Sequence, residues 1–141
     1  MDKKQTDTVL KAWRAAWSDG DVDAFEAILA PGYVRHTKSG DENIDKLRRD
    51  IKNSRDAFPN LVTEILQSVE QDDMVAIRWE SHGTHTGSYM GVPSTKREVT
   101  VVGASFCRFA DGLLAEEWVV WDPRELLAAM SIFAVGPSAE H

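Results

Sequence analysis

The stretch FADGLLAEEWVVWDPRELL, Phe109 to Leu127, holds a turn, a strand and a helix start in one run. Asp111-Gly112 is a tight-hairpin signal, since a two-residue hairpin loop needs residues that tolerate positive φ. The aromatic and β-branched run Leu113–Trp121 predicts a strand. Asp122-Pro123-Arg124-Glu125 reads as a capping box: Asp at the N-cap, Pro at the first helical position, Glu at the third. It predicts a short last helix through PRELLAAM, 123–130. Strand side chains alternate, so Trp118, Val120 and Asp122 share one face, and Glu117, Val119 and Trp121 the other. If the first face lines an interior cavity, Asp122 is a carboxylate beside a tryptophan in an apolar pocket, where desolvation raises its pKa. If Asp122 only caps the helix, amide hydrogen bonds lower it.

Upstream of this stretch, VTVVGASFCRFA (99–110), MVAIRWESHGTH (74–85) and LVTEILQSVEQ (61–71) predict three more strands. QDD is a turn between two of them, and TGSYMGVPSTKRE (86–98) is turn-rich. Short connections between consecutive strands argue for an antiparallel sheet. The N-terminal part is helical. Val9, Leu10, Trp13, Ala16 and Trp17 form one apolar face, with Asp7 or Thr8 as cap and SDGD (18–21) as stop. Val22, Phe25, Ile28 and Leu29 form a second face, ended by APG (30–32). YVRHTKSGD (33–41) is loop-like. A third helix runs from about Glu42 to Phe58, with Ile44, Leu47, Ile51 and Phe58 on one side, and Pro59 closes it. Helices first and strands after predict an α+β fold. Its sheet twists and curls, and three helices across the concave side leave a pocket at the mouth.

The 141 residues suit a single domain with one core at about 7–130, and GPSAEH is expected to be a loose tail. A net charge of −7 argues against nucleic acid and anionic membrane as partners. No apolar run approaches the ~20 residues that span a bilayer, and the N-terminus lacks the pattern of a secretory leader, so a cytoplasmic protein is expected. The one cysteine, Cys107, excludes an internal disulfide and is expected as a small buried hydrophobe. Phosphate-loop, dinucleotide and nucleophile-elbow motifs are absent from the sequence.

GTHTGSYMGVPSTKREV (83–99), followed by the Asp-Gly hairpin and the ending Glu116-x-Trp118-x-x-x-Asp122, resembles the SnoaL-like polyketide cyclases of the nuclear transport factor 2 superfamily. The resemblance covers roughly residues 7 to 130. It implies a cone-shaped α+β barrel around an apolar cavity, a homodimer, and neither metal nor organic cofactor. The implied activity is ring closure of a polyketide by aldol condensation, with Asp122 as acid/base. The sequence departs from that pattern at Val120, where the characterised cyclases carry a histidine.

The candidate site follows. Asp122 is the acid/base candidate for a small apolar or aromatic carbonyl substrate. His36 is a second acid/base candidate, since its reference pKa of ~6.5 suits neutral pH. Ile77, Trp79, Ser81 and His85 share a strand face, which makes Trp79 and His85 candidate substrate contacts. His82 and His85, three apart on a strand, point to opposite faces and do not form a metal site. Trp118 is a cavity candidate, with Trp121 on the opposite face. Arg108 could pair with Asp122 across strands, an arrangement similar to the limonene epoxide hydrolases, or sit at the rim. The remaining alternatives are a ketosteroid-isomerase-like enzyme on this fold and a non-catalytic binding dimer.

Overall fold

The computed structural model describes residues 4–130; the GPSAEH tail lies outside them. Helix α1 spans Lys4–Trp13 and runs into a wider π-turn at Arg14–Ser18. Short helix α2, Val22–Glu26, is capped by the Asp21 carboxylate, which accepts from the amides of Asp23 and Ala24. Strands β1 (Leu29–Thr37) and β2 (Gly40–Glu42) precede α3 (Ile44–Ala57), whose cap is Asn43. Strands β3 (Val62–Gln71), β4 (Met74–Thr84), β5 (Glu98–Ala110) and β6 (Leu113–Trp121) follow, then α4 (Pro123–Ala129). The four later strands and α4 fall where the sequence places them. At the β5–β6 turn Asp111 and Gly112 both have positive φ, 52° and 80°, the backbone that the hairpin requires.

The first helix starts earlier than expected, and neither Asp7 nor Thr8 caps it; the Thr8 hydroxyl donates instead to the Lys4 carbonyl. The larger correction concerns residues 29–42. Pro31-Gly32 looks like a helix stop followed by loop, yet these residues lie within β1. Gly32 absorbs a positive φ of 79° at the irregularity between Leu29 and Val34, so the breaker pair marks a bulge inside a strand. β1 then pairs parallel with β6, matching Arg35 to Glu117 and His36 to Trp118.

The sheet is therefore mixed, in the order β2-β1-β6-β5-β4-β3, with one parallel pair. It is curved and not closed, so the expected barrel is an open sheet with β2 and β3 as edges. Bulges between Ile65 and Gln67 and between Arg108 and Phe109 help it bend.

The core lies between the sheet's inner face and the helices. Val9 and Trp13 of α1, Phe25 of α2 and Leu47 and Ile51 of α3 pack with Val75, Ile77, Cys107, Phe109 and Leu114 of the sheet. Each large side chain so buried contributes about 1.5–3 kcal/mol. A second cluster joins Phe58 and Leu61 to Val99 and Val101 of β5 and to Leu126 and Met130 around α4. Between the two clusters the helices do not fill the curve of the sheet.

Candidate functional site

Alternation along three neighbouring strands decides what faces that space. On β6, Glu117 and Val119 are buried while Val120 is 61% exposed and Asp122 is exposed. The inner face is thus Glu117, Val119 and Trp121, the reverse of the orientation that would make Asp122 an interior group. On β1 the inward residues are Tyr33 and Arg35, and on β5 they include Val101, Gly103, Ser105 and Cys107. Of these, Arg35, Val101, Ser105, Glu117, Val119 and Trp121 line a cavity of about 780 Å3 together with Trp13, Trp17, Phe58, Trp79, Tyr89 and Leu126, within the size range of small-molecule pockets.

The polar wall of this cavity is one connected cluster. The Tyr33 hydroxyl donates to Glu117 Oε1 at 3.0 Å. Arg35 Nε lies 3.7 Å from the same oxygen and is buried without a hydrogen-bond partner. Arg35 Nη1 donates to Glu42 Oε1 at 3.0 Å and lies 3.6 Å from Asp50 Oδ2. Lys46 Nζ bridges Glu42 and Asp50 from outside. The Arg35 guanidinium also sits 5.8 Å above the Trp17 ring, which the π-turn carries to the cavity. Burial alone would lower the Arg35 pKa, but Glu117, Tyr33, Glu42 and Asp50 outweigh it and raise it. Burial, then the Glu117 charge, pushes the Tyr33 phenol far above its usual range, so Tyr33 remains a donor. Among the described residues no hydrogen bond falls to Glu117 Oε2.

Asp122 stands elsewhere. Its Oδ1 accepts from the Arg124 amide at 3.0 Å, and the carboxylate also meets the Arg124 side chain. The Arg124 side chain and amide hold its pKa below the usual carboxylate value, the direction of a cap and not of an apolar pocket. The expected box closes on one side only: Glu125 does not return to Asp122 but accepts from the Val102 amide of β5.

His36 and Trp118 stack at 5.1 Å on the outer face of the sheet, and His36 Nε2 meets Glu116 Oε2 at 2.5 Å. Both residues border the cavity, but strand alternation puts their side chains on the face opposite Glu117. Arg108 bonds Glu116, not Asp122, at 3.0 Å. His85 is fully buried against Phe58 at 5.3 Å, with Nδ1 accepting from the Thr95 amide, and does not line the cavity. Trp79 does line it. Of the six expected residues, Trp79, His36 and Trp118 therefore border the cavity, Trp79 from the inner face, while Asp122, His85 and Arg108 do not. Glu117 was visible in sequence as the carboxylate opposite Asp122. Tyr33 and Arg35 were hidden because their strand reads as a loop.

A curved open sheet holding helices on one face, with a carboxylate on the wall of the cavity between them, places the chain among α+β folds of the ketosteroid isomerase type. The chain belongs to the SnoaL-like polyketide cyclase family, whose model matches residues 7–130. It is similar to AclR, a proposed hydroxylase of Streptomyces galilaeus: 25% identity, TM-score 0.83, covering 96% of this chain and 85% of that one. It is also similar to IdmH of Streptomyces antibioticus, a proposed polyketide cyclase: 24% identity, TM-score 0.78, covering 92% and 99%. A protein of ketosteroid isomerase-like fold from Catenulispora acidiphila, in complex with trimethylamine, shares 16% identity at TM-score 0.70, covering 88% and 92%. A search of the curated proteins found no match.

Proposed function

We propose that this protein is a cyclase-like enzyme that enolises a small, largely apolar or aromatic carbonyl compound without a bound cofactor, with Glu117 as the acid/base. The reading rests on one observation: a buried carboxylate, fixed by Tyr33 and flanked by Arg35, has one oxygen free on the wall of an aromatic-lined cavity. Glu117 Oε2 takes the proton from the carbon beside the carbonyl. The enolate attacks a second carbonyl, and the proton returns to the oxygen under attack. A single positioned carboxylate accelerates proton transfer by ~10²–10⁴-fold, so orientation by the tryptophan walls supplies the rest. Asp122 and His36 are not needed for this step.

Exchange of the α-protons of 2-tetralone in D2O, followed by NMR, tests it. The wild type should accelerate exchange over buffer, and Glu117→Gln should remove that acceleration while folding normally. Equal acceleration by the variant would refute the role of Glu117.

A second reading has its own support. Arg35 lies between Glu117 and Asp50, a carboxylate–guanidinium–carboxylate array that suits water activation in a hydrolase of this fold. Uptake of 18O from labelled water into an epoxide-derived product would favour it. We also propose a homodimer through the outer sheet face, where Val102, Phe106 and Val120 are exposed. Light scattering of Val120→Asp, expected to be monomeric, tests that assembly.

A further inference from the structure

Ser105 is a buried hydroxyl of the cavity wall with a proton to spare. It is 1% exposed and lies at the centre of β5. Trp79 Nε1 donates to its Oγ at 3.2 Å. An indole N–H can only donate, so Ser105 is the acceptor in this contact and keeps its own O–H. Among the described residues nothing accepts that proton. A buried donor left without a partner costs about 1–3 kcal/mol, a cost that a ligand oxygen would remove.

The orientation of Trp79 is built in. A Cβ on Gly103 would meet Trp79 Cζ2 at 2.3 Å and Cη2 at 2.6 Å. The indole edge from Nε1 to Cη2 thus runs along β5 over Gly103 and Ser105, and only glycine at 103 leaves room for it. With one of its two lone pairs taken by Trp79, the hydroxyl has its proton free to turn to the cavity, which both residues line.

The register sets the distance to Glu117. Cys107 pairs with Glu117 and Ser105 with Val119, so Ser105 is the diagonal inner-face neighbour of Glu117. Such side chains start roughly 7–8 Å apart. Two contacts of about 3 Å each then leave space for one carbon–carbonyl unit between them.

We propose that Ser105, oriented by Trp79, donates its hydroxyl proton to the carbonyl oxygen of the substrate whose α-carbon faces Glu117, and so stabilises the enolate. The substrate class is then a planar or aromatic ketone with an enolisable carbon next to the bound carbonyl. Ser105 touches the reacting oxygen; Trp79 is a positioning residue. The inference rests on the assignment of Glu117 as acid/base, and the experiment separates the two.

The probe is 2-tetralone, with the hydrocarbon tetralin as control. In Ser105→Ala the exchange of α-protons should fall on the order of 10²-fold, as for removal of one oxyanion donor, with tetralin affinity unchanged. The infrared carbonyl band of bound 2-tetralone, shifted to lower frequency in the wild type, should return toward its free position. Ser105→Cys keeps the size with a weak donor and should behave like the alanine variant, which covers a failure of Ser105→Ala to fold. Trp79→Phe should broaden the band by freeing the hydroxyl. Wild-type exchange and an unmoved band in Ser105→Cys, with Glu117→Gln inactive, would overturn the role of Ser105 and leave Glu117 standing. If Glu117→Gln exchanges as well as wild type, or if 2-tetralone does not bind, both assignments fall.

Discussion

The Tyr33 hydroxyl donates to Glu117 Oε1 at 3.0 Å across 84 residues of sequence, on strands that run parallel. Replacing Tyr33 with Phe leaves the buried carboxylate oxygen without that donor. Stability should fall by about 1–3 kcal/mol, read from urea unfolding. Exchange of 2-tetralone should slow as well, because Glu117 loses the contact that fixes its direction.

Asp122→Asn should leave α-proton exchange at the wild-type rate, since its side chain faces solvent and Arg124. Its stabilising effect as an ionised cap is present above the unfolded-state value of ~3.9 and is lost as pH falls through its lowered folded value. Acid unfolding of the wild type should therefore begin at lower pH than that of Asp122→Ala. A loss of exchange in Asp122→Asn would return catalysis to this residue.

His36 supplies a pH dependence on the outer face. Its pKa is raised by its hydrogen bonds to Glu116 first and Asp41 next, and Glu116, which also meets Arg108, is lowered. A raised histidine stabilises fully below its unfolded value of ~6.5, and the effect is lost as pH rises through the folded value. The lowered Glu116 contributes above ~4.3 and loses its effect in acid. Wild-type Tm should thus decline from pH 6 toward pH 8 relative to His36→Ala, and the difference should shrink in high salt. Parallel Tm curves for the two proteins would contradict the ion pair.

Gly103→Ala should cost about 1–3 kcal/mol as an overpacked contact, because the added carbon would also lie 2.8 Å from the Val120 carbonyl. Tryptophan fluorescence should shift with the displaced Trp79. An unchanged Tm would show that the indole moves aside freely.

Much of the fold was legible because its signals are local. The Asp111-Gly112 turn, the strand at 113–121 and the cap at Asp122 each depend on neighbours in sequence, and each is found. β1 was not legible. Its irregular start at Pro31-Gly32 imitates a loop, and its partner is β6, with which it shares no turn.

The same division applies to the site. Sequence determined that Glu117 and Asp122 lie on opposite faces of β6, because side chains of a strand must alternate. It could not say which face turns inward, since both carry a carboxylate, a tryptophan and a valine. That was decided by β1 on one flank and β5 on the other, whose inward-facing Tyr33, Arg35, Ser105 and Cys107 all lie on the side of Glu117. Only packing against the helices buries one face, and burial is a property of the assembled sheet.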